Sequence, residues 1–410
     1  MKKILEKSKI SINKQKEGMK MQTILYNCSL INGLDEEIIE NAYLIIEDKK
    51  IKEIGTGEIE KDESANLVDI KGQYVMPGLI DCHVHLVWDG SEDPQKNIQH
   101  LDESTIALEA YSHALLTLKE GITTVRDVAS PKKSVLNLRD VINSGDLIGP
   151  TIIASGPAIC MTGGHVHYLG KEADGPDDVR RATRQVMKEG ANLIKLMATG
   201  GIYTFGEEPG SPQLNVDELK AAVEEAHKKN KKVAAHAEGL EGIHNCIEAG
   251  VDTIEHAIYA DESALQKMKE NGTYLVPTMI VMKRLATDEN IPEWALEKAR
   301  HVVQPHAEML EKAVKLGVKI ATGTDCGSPV TPPNYYFDEL QIMEDAGMSR
   351  MEVIHASTQI AAECLGLEDR GVLKEGMFAD LLIVESNPLD SILALKDSKR
   401  VMKNGLFINN

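Results

Sequence analysis

At 410 residues, 42% apolar and 27% charged, the chain is long enough for one barrel-sized domain and a smaller one. Its net charge of −19, from 45 Lys+Arg against 64 Asp+Glu, excludes the basic footprint that nucleic acid requires. It contains no apolar run of the roughly 18 residues a spanning helix needs, and its six cysteines lack any C-x-x-C spacing. These features predict a protein of the reducing cytoplasm with no membrane partner.

In chain order, residues 1–21 begin basic but carry no apolar h-region, so they read as a flexible tail and not a secretory leader, with Met21 as a second candidate start. Short alternating segments follow over 22–77 (TILYNCSLING, AYLIIEDKKIKEIG, LVDIKGQYVMPG). Similar ones fill 370–410 (GMFADLLIVES, RVMKNGLFINN), and the two ends are expected to pair into one composite β-sandwich.

Between them, over 78–369, a rhythm of apolar run, polar loop and amphipathic helix repeats. The runs are LIDCHVHL (79–86), ITTVRDV (122–128), TIIASG (151–156), NLIKLMA (192–198), KVAAHA (232–237), TIEHA (253–257), TYLVPT (273–278) and KIATGTD (319–325). Helical patterns are clearest at 216–229, 264–270 and 295–316, and KEGI, KEGAN, EAGVD and KLGVK place a glycine where a helix should end. Eight strands alternating with helices predict an α/β fold, a (β/α)8 barrel.

The chemistry-bearing residues fall at the carboxyl ends of these runs, the face on which such barrels place their chemistry. His83 and His85 are two apart on the first strand, so both imidazoles face one side, as half of a metal site would require. After the third run His165 lies in the glycine-rich loop MTGGHVHY, placed to touch substrate, with His167 a weaker candidate. Lys195 interrupts an apolar fourth strand, where a charged lysine is costly; snorkelling, an ion pair, or a carbamate bridging two cations would account for it.

His236 ends the fifth run, His256 the sixth and Asp325 the eighth. Nitrogen and oxygen donors without cysteine suit zinc before manganese, iron or cobalt. His227, His244, His301, His306 and His355 fall on helices and read as surface or packing residues, and Cys82 and Cys326 as packing. The loops 203–212 and 327–336 are expected to border the pocket, as is Tyr203, and Tyr335 and Tyr336 in the second loop would either cover a bound ligand or serve ordinary loop packing.

The string MPGLIDCHVHL, Lys195 on strand four, AHAEG with His236, IEHA with His256 and GTDCG with Asp325 resemble the amidohydrolase superfamily. The loops TGGH (162–165) and KLMATGG (195–201) are similar to its branch of Xaa-Pro dipeptidases and zinc-dependent Arg/Lys carboxypeptidases, relatives of the imidazolonepropionases. The resemblance runs from about Leu25 to the C-terminus. It implies a distorted (β/α)8 TIM barrel with a small β-sandwich from both chain ends, a small-molecule substrate and a homo-oligomer. It further implies His83 and His85 holding one divalent ion with Asp325, His236 and His256 holding a second, and a carboxylated Lys195 and a hydroxide bridging the two. Where the branch carries Tyr or His after the strand-five A-H-A, this chain has Glu238, which would repel a substrate carboxylate and attract a cation.

On this reading the chain is a hydrolase of an amide C–N bond in a dipeptide or N-acyl amino acid. Asp325 moves the proton from water to the leaving amine and His165 donates to the oxyanion. Two alternatives share the site: a mononuclear hydrolase of a cyclic amide or a deaminase, and an esterase, lactonase or carbamate hydrolase. A non-enzymatic scaffold would have lost ligands, and here every ligand position is filled.

Overall fold

A computed structural model describes residues 22–59, 65–396 and 400–408; the expected tail 1–21 lies outside the described residues. The two chain ends meet in one eight-stranded sheet. At its centre Leu381–Val384 runs antiparallel to Tyr74–Pro77, in the register Leu381↔Pro77 to Val384↔Tyr74. From there the sheet continues through Thr23–Leu30, Ile39–Glu47 and Lys50–Thr56 on one side and through Arg400–Lys403 and Leu406–Phe407 on the other. Alternation puts Leu25, Leu44, Val75, Leu381 and Met402 into one apolar cluster, so neither end buries its face without the other. A buried polar joint ties this sheet to the barrel: Lys403 Nζ donates to Asp380 Oδ2 (2.6 Å) and to Thr151 Oγ1 (2.8 Å).

The chain passes directly from Tyr74–Pro77 into the first barrel strand, Leu79–Val84, which pairs in parallel with Ile122–Asp127 and through it with Thr151–Ala154. A second parallel group runs from Ala158–Cys160 through Ile194–Met197, Val233–Ala237 and Thr253–His256 to Tyr274–Val276. The third predicted run ends at Ala154, and the ladder resumes only at Ala158. Gly156 turns the backbone into the left-handed region (φ 63°), and Pro157 has no N–H to donate.

The eighth run departs further from expectation. It closes the barrel through single bridges, Leu275↔Ile320 and Val84↔Cys326, without a continuous ladder. Cys82 N still donates to Thr322 O and Asp325 N to His83 O, both at 2.8 Å, so the run lies against strand one even though its last residues leave extended geometry. The result is a distorted TIM barrel. Helices form over Val216–His227, Glu262–Asn271 and Glu293–Leu316. Gly250 and Gly317 cap helices in the left-handed conformation, at φ 84° and 72°. Among the described residues no helix is long and apolar enough to cross a membrane.

Candidate metal centre and substrate pocket

Strands one, four, five and six and the eighth run bring His83, His85, Lys195, His236, His256 and Asp325 to one pocket at the carboxyl end of the barrel. Ligand atoms of His83, His256 and Asp325 all lie within 4.8 Å of one another. Asp325 Oδ1 is 3.2 Å from His85 Nε2 and 3.6 Å from His83 Nε2. The His236 ring stands 4.6 Å from that of His256. The tightest group thus takes His83 and Asp325 from one implied half of the centre and His256 from the other.

Three of the histidines have one nitrogen already engaged, which fixes what the other presents. His83 Nδ1 lies 2.7 Å from the Glu255 carboxylate. His85 Nδ1 faces the Ala129 carbonyl at 3.4 Å. His256 Nδ1 donates to Thr278 Oγ1 (2.6 Å), whose own proton goes to Pro277 O (2.7 Å). Each arrangement puts the proton on Nδ1 and leaves the Nε2 lone pair for the pocket. Burial pushes the imidazolium form of His83 down to about 4 and that of His256 well below its ordinary range, so both are neutral donors at neutral pH. Burial works against the Asp325 carboxylate, but the neighbouring His83 and His85 imidazoles outweigh it and hold the group well below the usual range.

The backbone that delivers these groups is strained. His256 (φ 71°), Ala257 (φ 51°), Thr278 (φ 52°) and Asp325 (φ 59°) all occupy the left-handed region without being glycine. Such conformations cost about 1–3 kcal/mol each and persist where surrounding structure enforces them. At His256 that structure includes His306 Nε2, which donates to the His256 carbonyl (3.0 Å) from a fully buried position on the helix Glu293–Leu316. His306 is therefore a packing residue that also supports a strained strand end.

Beneath His83 lies a charged network that sequence reasoning missed. Arg126, 1% exposed, reaches across the barrel from strand two to both oxygens of Glu255 (2.8 and 2.9 Å), to Thr253 Oγ1 (3.0 Å) and to the Cys82 carbonyl. Glu255 is fully buried, and Arg126 and His83 hold its carboxyl well below the usual range against the effect of burial. Glu255→Gln would leave the Arg126 charge uncompensated. We expect it to cost about 3–5 kcal/mol in urea unfolding and to weaken zinc binding by roughly 10–100-fold in chelator competition. Unchanged zinc affinity would show that His83 needs no such orientation.

Lys195 is 1% exposed, and its Nζ has no hydrogen-bond partner among the described residues. Burial pushes its ammonium down to about 8, which enlarges the neutral-amine fraction able to react with carbon dioxide. Among the described residues no carboxylate forms an ion pair with it, although Glu255 and Asp325 act on it electrostatically. An orphaned buried amine beside neutral imidazoles and an ionised carboxylate is a donor set that fits divalent ions joined by a carbamate.

Around this centre lies a pocket that is partly open to solvent. Its outer wall is apolar: Trp88, Met197, Ile202, Val281, Met282 and Leu285. His165 lines it and stacks on His236 (ring centroids 4.3 Å). Its Nδ1 is held by Thr204 Oγ1 (3.0 Å) and Glu207 Oε2 (3.2 Å). The second glycine of the A-T-G-G turn makes this packing possible, because a Cβ at Gly201 would lie 2.3 Å from the His165 ring. Glu207 comes from the loop 203–212, where no periodicity marks it.

Tyr203 lines the pocket by its ring, since its hydroxyl donates to Glu92 O (2.6 Å). His167 turns its Nδ1 to Gly164 O and stays outside. Tyr335 and Tyr336 do not cover the pocket: Tyr336 is core, donating to Ile80 O (2.9 Å), and Tyr335 packs under Arg284. The six cysteines are free and buried, Cys82 among Ala361, Ala362 and Cys364.

Residues 74–407 match the Amidohydrolase family. The ochratoxinase of Aspergillus niger is 34% identical over 421 aligned positions, covering 92% of this chain and 84% of that protein. An imidazolonepropionase of Pyrobaculum arsenaticum is 25% identical, covering 84% and 86%. Among solved structures, a Xaa-Pro dipeptidase with bound methionine in its active site superposes with a TM-score of 0.89 at 34% identity, covering 95% of this chain and all of that one.

Proposed function

Because the chain belongs to the amidohydrolase family and is a hydrolase of C–N bonds, we propose that it cleaves the amide bond of a dipeptide or N-acyl amino acid at a centre of two divalent ions, zinc first among them. His83, His85, His236, His256 and Asp325 would hold the ions together with an N6-carboxylated Lys195. One observation carries the reading: neutral, buried imidazoles and an ionised Asp325 converge in a pocket whose single lysine has an Nζ with no partner. Bound ions supply Lewis acidity and a water acidified toward neutrality.

The protein's own groups do the rest. Asp325 Oδ1 takes the proton of the attacking water and passes it to the leaving nitrogen, while the Ser328 hydroxyl donating to Oδ1 (2.7 Å) fixes its orientation. His165, its Nδ1 held by Thr204 Oγ1 and Glu207, is positioned to donate from Nε2 to a developing oxyanion. The apolar wall excludes water from the bond being cleaved. Assembly into a homo-oligomer and residence in a reducing cytoplasm belong to the same proposal, the latter supported by six free thiols.

Zinc-loaded protein in bicarbonate, offered a library of dipeptides and N-acyl amino acids, is expected to release amino acid in a chelator-sensitive way and to bind about two ions per chain. Full activity at one ion per chain would favour the mononuclear cyclic-amide reading that the imidazolonepropionase relative suggests. No release at two ions would redirect the search to carbamates, esters and lactones.

A further inference from the structure

Glu238 is the one pocket carboxylate that the centre leaves unused. It follows His236 by two residues, is 1% exposed and lines the pocket. Its backbone is pinned on both sides: Glu238 N donates to Thr199 Oγ1 (3.1 Å), and its carbonyl accepts from Tyr259 N (2.9 Å). The side chain has no such support. Oε2 makes no hydrogen bond, and Oε1 lies 3.8 Å from His236 Nε2, beyond hydrogen-bond distance.

Most other buried carboxylates here have partners; Asp127 leaves Oδ1 unpaired, but its Oδ2 accepts from Leu86 N (2.9 Å). Glu255 has Arg126 and His83, Glu339 accepts from Met279 N and Ile280 N, and Asp81 accepts from Thr324. A buried carboxyl without a partner is costly, and natural proteins keep one where a ligand completes it. The charges around it name the ligand. No arginine lines the pocket, its only lysine is Lys195, and the nearby Lys298 is spent on the carbonyls of Thr204 and Glu207. A substrate carboxylate would therefore meet the Glu238 carboxyl, with no arginine and no lysine but Lys195 in the lining to receive it. The remaining wall, Ile202, Val281, Met282 and Leu285, asks for an apolar body.

We propose that Glu238 is the specificity-determining residue of this site: it receives the protonated amino group of an aminoacyl amide with an apolar side chain, selecting free-amine substrates over N-acylated ones. This rests on the amide-hydrolase reading of the same pocket and narrows it.

The test uses leucine p-nitroanilide and its N-acetyl derivative, which differ only at the amine and lack a carboxylate. The zinc-loaded wild type is expected to favour the free amine in kcat/KM by roughly 10–100-fold, the contribution of one charge-assisted hydrogen bond, expressed in KM. Glu238→Gln should abolish that preference at unchanged metal content, and Glu238→Asp should recover part of it. A wild type that favours the acetylated member or neither, or a Glu238→Gln that keeps the preference, overturns the proposal. Loss of a metal ion from Glu238→Gln also overturns it, by making Glu238 a ligand. If neither anilide is cleaved, the amide reading fails, and calorimetric binding of the same pair decides this inference. Tighter binding of the free amine, lost in Glu238→Gln, sustains it; equal or absent binding ends it.

Discussion

Asp325→Asn is expected to lower turnover on a cleavable amide by about 10²–10⁴-fold, the range that a positioned general acid–base contributes. The substitution isolates chemistry from folding. Asparagine is nearly isosteric with aspartate and is enriched in the left-handed region that residue 325 occupies at φ 59°, so the strained turn stays compatible with the new side chain. The backbone bond from residue 325 N to His83 O (2.8 Å) is untouched, and an amide oxygen still accepts from Ser328. What disappears is the negative charge that His83 and His85 hold ionised within 3.6 Å, and with it the ability to take a proton. Turnover, thermal unfolding and zinc content measured together separate the outcomes. A stable, zinc-replete and inactive variant supports the proton role. A variant with near-wild-type turnover refutes it, and one that loses zinc assigns Asp325 to metal binding alone.

What could be read from sequence followed the geometry of strands. His83 and His85 were legible because i and i+2 share a face, and His236 and His256 because each ends an apolar run. The same logic found Lys195 as a charge inside an apolar strand, yet Arg126 in ITTVRDV and Glu255 in TIEHA carry the identical signal. They escaped because their meaning is a contact between strands two and six, spanning 129 residues, which no local pattern encodes. Glu207 and Thr204 lie in a loop without periodicity, and their hold on His165 depends on how that loop folds back over the third strand's exit. Thr278 sits at the end of a predicted strand, but its hydrogen bond to His256 is visible only once strands six and seven are in register. The eighth run was right in place and wrong in form, because its last residues abandon extended geometry to present Asp325.

Lys195→Ala is the second large effect, and its value lies in recovery more than in loss. The wild-type side chain is an amine in a fully buried setting whose Nζ has no hydrogen-bond partner among the described residues, an arrangement that costs stability and that the fold alone does not require. Its environment lowers the ammonium to about 8, and the neutral amine is the species that adds carbon dioxide, losing a proton to form a carbamate. Removing a supporting partner of a metal ligand costs roughly 10–100-fold, so removing a ligand itself should cost on the order of 100-fold or more in turnover, with weakened metal retention. Alanine leaves a slot in the strand Ile194–Met197 open to the pocket. Acetate or propionate can enter it and offer two oxygens where the proposed carbamate would stand. Partial restoration of turnover by these acids, together with a carbamate resonance from ¹³C-bicarbonate in the wild type that is missing in the variant, is the expected result. A Lys195→Ala protein that keeps two ions and full turnover would show that the lysine bridges nothing. One that is inactive and beyond rescue, with no carbamate signal in the wild type, would make Lys195 a buried amine acting as such, and the centre would have to be rebuilt from His83, His85, His236, His256 and Asp325 alone.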